Sequence, residues 1–326
     1  MSYVLVTGAN GFLGRALIEQ LSKDERYKSV AVVRNNSISR IKGVPTSIVG
    51  GLSCNTDWGK VLVDIDVVIH TAARVHVMND RSTDPLTEFR KVNFEGTMAL
   101  AQQAVRAGVR RFIFISSIKV NGEETELAKP FTVDNRPAPL DSYGVSKAET
   151  EQALLELAGN TDLEVVIIRP VLVYGPGVKA NFYNMMSWLN RGIPLPFGSI
   201  KNKRSLIALE NLVSFIIYCV DYTNTPKAAN QVFLISDGED ISTTDLLKKT
   251  ANALGNKVFL IPVPVLLMTF VAKILGKGDV ANRLFGSLQV DSSKARELLD
   301  WSPVITMEEQ LKKTADAFLE GKVSKK

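Results

Sequence analysis

Tyr3 to Gly14 reads YVLVTGANGFLG, and this stretch decides the fold. Tyr3 to Thr7 is a short apolar run with β-branched residues, the composition of a buried strand. Gly8 ends it, and the amphipathic stretch Phe12 to Leu21 reads as a helix. Gly8, Gly11 and Gly14 form a G-x-x-G-x-x-G turn between the two. In that setting Gly8 permits the tight turn, Gly11 lets backbone approach a pyrophosphate, and Gly14 lets the helix pack on the strand. The helix N-terminus offers free N–H groups and partial positive charge to phosphates. A glycine triplet alone is common in plain turns. Its setting between strand and helix at the head of the chain makes it a dinucleotide loop.

Outward from this loop, strand and helix signals alternate. Ser29 to Val33, Asp66 to His70, Arg111 to Ile115 and Leu163 to Ile168 are apolar runs, with helical stretches at Thr87 to Ala107 and Ser142 to Ala158. Continuous apolar strands between helices predict a parallel sheet covered on both faces. The fold class is therefore α/β, a Rossmann-type doubly wound parallel sheet. After Arg169 Gly and Pro become denser, Val232 to Ile235 reads as one more strand, and Met307 to Leu319 as a helix. The expected layout is a dinucleotide-binding domain over 1–175, with 206–237 returning to the sheet. A smaller, mostly helical substrate lobe takes 176–205 and 238–326.

The second strand ends in Arg34, where an acidic residue would accept hydrogen bonds from the ribose hydroxyls of NAD. An arginine there suits the extra phosphate of NADP, so NADP(H) is favoured and NAD(H) is the alternative. A solvated loop arginine is the plainer reading of the same residue.

The chain has 326 residues, 45% hydrophobic and 22% charged, which excludes disorder and collagen-like repeats. Net charge is +5, part of it in the closing residues Lys322, Lys325 and Lys326. No basic run interleaves with aromatics, so no nucleic-acid partner is expected. Cys54 and Cys219 make neither a disulfide framework nor a metal site, and no metal is expected. With no signal-peptide layout at the start, a cytoplasmic protein is expected. Val258 to Leu275 is a long apolar stretch, but Pro262 and Pro264 break it and the part after Pro264 is too short to cross a bilayer. It reads as a strand and a packed helix; a helix resting on a membrane surface is the alternative.

Tyr143 and Lys147 stand four apart on one helix face. A lysine beside a tyrosine favours the phenolate and lowers its pKa. Such a tyrosine exchanges a proton with an alcohol oxygen while hydride moves to or from a nicotinamide. Ser116 and Ser117 follow the strand Arg111 to Ile115, at the sheet end where sites form, and a hydroxyl there can hold the reacting oxygen.

TGANGFLG, IHTAA at 69–73, VNFEGT at 92–97, FISSIKVNG at 114–122, YGVSK at 143–147, RPVLVYGPG at 169–177 and VDSSKARELLDWSP at 290–303 follow in order along the chain. Together they resemble the extended short-chain dehydrogenase/reductases, in the nucleotide-sugar epimerase/dehydratase/reductase group. The resemblance implies that Tyr143 is the acid/base, that Lys147 holds the nicotinamide ribose and tunes Tyr143, and that Ser117 is the catalytic serine. It implies a cofactor against Gly8, Gly11, Phe12, Leu13, Gly14, Arg34, Leu52, Ala72, Ala73 and Val173, with Asn93 either structural or on the cofactor side. It implies substrate contacts from Asn181, Phe182, Phe197, Arg204 and Arg283, with Arg204 pairing the diphosphate of a UDP-linked sugar. A homodimer is a further family expectation. Two departures stand out: Gly50-Gly51-Leu52 replaces the family's Gly-Asp, and Val120-Asn121-Gly122 replaces Val-Tyr-Gly, which should reshape the sugar pocket.

Ile118-Lys119 after the catalytic serine lacks the Asp-Glu of sugar 4,6-dehydratases, and the Cys and His of GDP-fucose-type epimerase-reductases are not in place. The favoured reading is reduction by NAD(P)H of a UDP-linked 4-keto-6-deoxy-(N-acetyl)hexose at carbon 4, in surface-polysaccharide (O-antigen) sugar synthesis. Arg34 supports it, as do RVHVMND at 74–80 and SSIKVNGE at 116–123, which resemble the UDP-N-acetylquinovosamine/fucosamine branch. A UDP-hexose or UDP-N-acetylhexosamine 4-epimerase with bound NAD is the second reading, since the same Ser-Tyr-Lys set serves both. A non-catalytic dinucleotide-sensing protein is the third, and retention of Ser117, Tyr143 and Lys147 speaks against it.

Overall fold

Strand β1 (Ser2–Thr7) lies at the middle of a parallel sheet, paired with β2 (Tyr27–Val33) on one side and β4 (Val67–His70) on the other. The computed structural model describes residues 1–34, 43–75, 84–276 and 278–323. β3 (Thr46–Ile48), β5 (Arg111–Ile115), β6 (Glu164–Pro170) and β9 (Gln231–Ile235) complete the sheet in the order β3-β2-β1-β4-β5-β6-β9. All six pairings are parallel. β7 (Leu172–Tyr174), β8 (Arg204–Ala208) and β10 (Asp240–Ile241) form a second, small sheet. The helices are α1 (Phe12–Leu21), α2 (Pro85–Phe89), α3 (Gly96–Arg106), α4 (Ser142–Gly159), α5 (Ala180–Asn190), α6 (Leu209–Val220), α7 (Thr243–Ala253), α8 (Val265–Ile274), α9 (Gly278–Phe285), α10 (Ser293–Leu299) and α11 (Met307–Val323).

The strands read as unbroken apolar runs because both faces of the large sheet are covered. Within β1, Val4 and Val6 face the cluster that includes Leu17 and Ile18 of α1 and Phe215 of α6. Leu5 faces the opposite cluster, with Leu100 and Ala104 of α3 and Leu154 of α4. A third cluster, with Tyr174, Phe182, Met186, Leu206, Leu247 and Leu311, holds the lobe formed by the small sheet, α5, α7 and α11. Each fully buried large side chain contributes roughly 1.5–3 kcal/mol by leaving water. Arg111 is the largest polar side chain in this interior: fully buried, it pairs with Glu164 at 2.6 Å and donates to the carbonyls of Cys219 (2.7 Å) and Thr225 (3.0 Å).

The strand order reverses between β1 and β4. Ligands of open parallel sheets bind in the crevice beyond the carboxyl ends of the strands at such a point. The glycine loop leaves β1 there, and Thr71 leaves β4 beside it.

Two stretches differ from expectation. The helix expected over Thr87 to Ala107 is α2, a π-helical turn Arg90–Glu95, and α3. The wide turn rolls Asn93 into the interior. The packed helix expected within Val258 to Leu275 is α8, and none of its residues is buried. Apolar sequence marks a packed helix only when the rest of the chain supplies a partner face, and here it does so on one side alone. The preceding strand reduces to a single bridge between Leu195 and Leu260. Among the described residues no helix is long and apolar enough to cross a membrane.

Candidate active site

Gly8 adopts a positive φ of 65°, and a Cβ there would stand 2.8 Å from Thr71 Oγ1 and 2.9 Å from the Ala72 nitrogen. At Gly14 a Cβ would come within 2.2 Å of the Gly8 carbonyl oxygen, so any side chain would push α1 off the loop. Ala72 donates its N–H to Thr7 Oγ1 (3.3 Å), which brings the start of the Ala72-Ala73 segment against the loop. Gly11 is the N-cap of α1 and no side chain caps the helix. The first-turn N–H groups, around Phe12 and Leu13, are thus left for an anion at the switch point, which fits a dinucleotide diphosphate.

The other expected cofactor residues scatter more. Arg34 follows β2 and is exposed. Leu52 packs beside Gly96 of α3, and Val173 lies on β7 against the first core cluster. Asn93 takes the structural one of its two implied roles. Its Oδ1 accepts the Arg74 N–H (2.8 Å), and its Nδ2 donates to the Arg74 carbonyl (3.0 Å) and Ser146 Oγ (3.1 Å). With both ends of the amide used by the protein and the side chain buried, Asn93 is a brace between the π-turn and α4 rather than a cofactor ligand.

Tyr143 and Lys147 sit in the first two turns of α4. Tyr143 is half-buried, edge-on to Phe89 at 6.1 Å. Lys147 is buried, its Nζ 4.3 Å above the centre of the Phe114 ring and 5.9 Å from that of Tyr143. It donates to the carbonyl of Ile115 (2.8 Å), the last residue of β5. Burial pulls the Lys147 ammonium down to about 7, against a smaller opposing pull from Glu151. Burial pushes the Tyr143 phenol well above its usual range, with Asp141 adding to the rise. The expected lowering of the phenol by Lys147 is therefore not present in the protein by itself, because desolvation outweighs an ammonium directed at a carbonyl.

Of the two serines, Ser116 is buried and donates to Glu151, whereas Ser117 is half-buried and accepts the Lys119 N–H (3.2 Å) as it caps the turn Ile118–Val120. Behind them Arg169 pairs with Glu151 at 2.5 Å and donates to Asn121 Oδ1 (2.9 Å). Asn121 is buried and donates to the Thr132 carbonyl (3.2 Å). Its amide is thus committed to the interior.

Two features escaped the sequence. Lys119 pairs with Glu123 (2.8 Å) and with Asp141, and Asp141 caps α4 by accepting the Gly144 N–H (2.7 Å). An aspartate just before the helix start was the available signal for that cap. The Glu151–Arg169 pair had no local signal, since its members lie on α4 and β6. His70 is fully buried, shares hydrogen bonds with Thr7 (2.8 Å) and Thr97 (3.0 Å), and burial lowers it to about 3, so it is neutral. His76 and most of RVHVMND lie outside the described residues.

In the lobe, Asn181 is exposed on the first turn of α5. Phe182 is buried and stacks on Tyr174 at 5.8 Å, so its ring belongs to the lobe core and not to a ligand surface, a correction. Phe197 meets Phe285 edge-on at 6.3 Å. Arg204 donates to the Gly286 carbonyl (3.1 Å), and burial lowers its pKa. Arg204 is half-buried, and the Glu124 carboxylate acts on it against the burial. Arg283 is exposed in the last turn of α9. Cys54 is exposed and Cys219 buried.

The NAD dependent epimerase/dehydratase family matches residues 4–235. The UDP-glucose 4-epimerase of Vibrio cholerae is 48% identical, over 98% of this chain and 96% of that protein. Among solved structures, the UDP-glucuronic acid 4-epimerase from Bacillus cereus in complex with NAD superposes with a TM-score of 0.78 at 22% identity, covering 98% of this chain and 99% of that one. The UDP-glucose 4-epimerase from Thermotoga maritima with UDP-glucose gives 0.76 at 23% identity, covering 98% and 99%. The 4-keto-reductase expectation is overturned by the Vibrio cholerae relative, a 4-epimerase that aligns along nearly the whole chain. That expectation rested on Arg34 and on the likeness of two short strings, RVHVMND and SSIKVNGE, and one exposed guanidinium on a loop does not make a site for a ribose phosphate. The preference for NADP falls with it.

Proposed function

The chain belongs to the NAD dependent epimerase/dehydratase family, and we propose that it is a UDP-hexose 4-epimerase that keeps NAD bound through its cycle. The observation that carries this reading is the 48% identity, along nearly all of both chains, with a UDP-glucose 4-epimerase. The uncapped α1 N-terminus at the sheet's switch point, and Tyr143 and Lys147 at the start of α4, support it.

NAD would be held by the first-turn N–H groups of α1, by Ala72 and Ala73, and by Lys147 at the ribose. When bound, NAD would supply a nicotinamide able to take up the hydride of sugar carbon 4 and give it back to the opposite face. Tyr143 takes the proton from the carbon-4 hydroxyl and later gives it back. Lys147 supplies positive charge near the phenol: an anionic diphosphate close by favours its ammonium form and so opposes the burial that now raises Tyr143. Ser117 orients the sugar oxygen, and Arg204 pairs the UDP diphosphate with its planar fork. The cycle has no net redox change, so no added reductant is needed. A homodimer is part of the same reading, and sedimentation would report it as twice the 35.8 kDa chain.

Purified protein incubated with UDP-glucose and no added cofactor is expected to form UDP-galactose, followed by the anomeric proton in NMR spectra. Failure to interconvert UDP-glucose or UDP-N-acetylglucosamine, by protein that retains NAD, would sink the proposal.

A further inference from the structure

We propose that α8 is a docking helix that seats the protein on an anionic phospholipid surface. Eight of α8's ten residues are apolar, yet none is buried. Leu266, Phe270 and Ile274 recur every four residues, and Leu267, Val271 and Leu275 repeat the same interval beside them. These two adjacent rows make one continuous face. Its members are far out in solvent: Leu266 is 87% exposed, Phe270 63% and Ile274 68%. Phe259 and Ile261, just before α8, are also exposed. Of the 21 exposed large hydrophobic residues among the described ones, eight fall between Phe259 and Leu275. Scattered apolar side chains are ordinary on a protein surface, but this concentration marks an interaction site.

Charge selects the occupant. Between Asp245 and Asp279 the sequence holds no acidic residue, while Lys257, Lys273 and Lys277 fall within or beside the apolar segment. Lys257 and Lys273 are exposed. Aromatic and aliphatic side chains on one face with lysines at the margin suit the headgroup region of an anionic leaflet, where each lysine adds to the attraction. α8 is about 15 Å long, half the thickness of a hydrocarbon core, so it lies on the bilayer and does not cross it. Size argues against a second copy of the chain. One face of a ten-residue helix offers a few hundred Å², below the roughly 800 Å² per partner of a standard stable interface. The helix is anchored to the lobe through its packing on α9, so a docked α8 carries the whole lobe to the surface.

The test uses the full-length protein and vesicles of phosphatidylethanolamine with phosphatidylglycerol, compared with phosphatidylcholine alone. The wild type is expected to co-sediment with the anionic vesicles, to bind the neutral ones more weakly, and to be released by salt. The double substitution Leu267→Ser with Phe270→Ser should weaken binding about tenfold or more, and Lys273→Glu should weaken it further. Neither change touches the proposed catalytic residues, so turnover of soluble UDP-hexose stays as in the wild type, which separates this inference from the epimerase reading. The proposal is overturned if the wild type stays in the supernatant or the double variant binds equally well. It is also overturned if the wild type instead self-associates through this face, with association lost in the double variant and no vesicle binding.

Discussion

Lys147 Nζ donates to the main-chain oxygen of Ile115 across 2.8 Å, tying the helix that carries Tyr143 to the strand end that carries Ser116 and Ser117. One side chain thereby fixes the relative position of the three groups assigned to chemistry. Lys147→Met removes both tie and charge, and Tyr143→Phe removes the proton carrier. Each should lower the turnover of UDP-hexose by about a hundredfold to ten-thousandfold. Calorimetric binding of UDP to Tyr143→Phe should match the wild type. A Tyr143→Phe enzyme with wild-type turnover would remove this residue from the mechanism.

Asp141 caps α4 and is paired with Lys119. Asp141→Ala should cost about 1 kcal/mol in stability, the ordinary worth of a helix cap. Because Tyr143 lies two residues on, kcat should fall while KM changes little. Denaturant unfolding and steady-state kinetics on one preparation check both. An Asp141→Asn protein, which keeps an acceptor, should recover most of the stability.

His70 makes stability depend on pH in a defined direction. Its folded pKa of about 3 lies below the ordinary value of 6.5, because burial disfavours the charged ring. Below 6.5 the unfolded chain takes up a proton that the folded protein refuses, so this contribution is complete above 6.5 and is lost as pH falls toward 3. His70→Gln should flatten that slope in urea unfolding between these limits. An unchanged slope would assign the acid lability to other groups.

Arg204→Ala should raise the KM for UDP-glucose about tenfold to a hundredfold, as expected for a charge-assisted bond to a diphosphate. kcat should be little altered, since the contact is remote from carbon 4. Arg204→Lys should restore only part of the affinity, because a point charge lacks the planar fork. Equal KM values in all three proteins would place the diphosphate elsewhere.

The sheet was legible in the sequence because each of its long strands is an unbroken apolar run and its first turn is fixed by glycines whose Cβ positions are occupied. Tyr143, Lys147 and the serine pair were legible for a related reason: helix spacing and strand ends place them without knowledge of distant contacts. The small sheet was not, since strands of two to five residues carry too little pattern. The direction of side chains was also hidden. Phe182 and Asn93 stand at the family's positions but turn inward, because Tyr174 and the π-turn, neither local to them in pattern, claim them. Arg34 misled for the opposite reason, since a residue type on an exposed loop fixes chemistry only weakly.

Arg111 bears on how the chain assembles as it is made. Its guanidinium is fully enclosed, and two of its partners, Cys219 and Thr225, follow it by 108 and 114 residues. During synthesis β5 leaves the ribosome long before those carbonyls exist, and a dehydrated cation without partners is strongly unfavourable. Glu164 can pair with it once β6 has emerged, but its enclosure is complete only after the segment through Thr225 has followed.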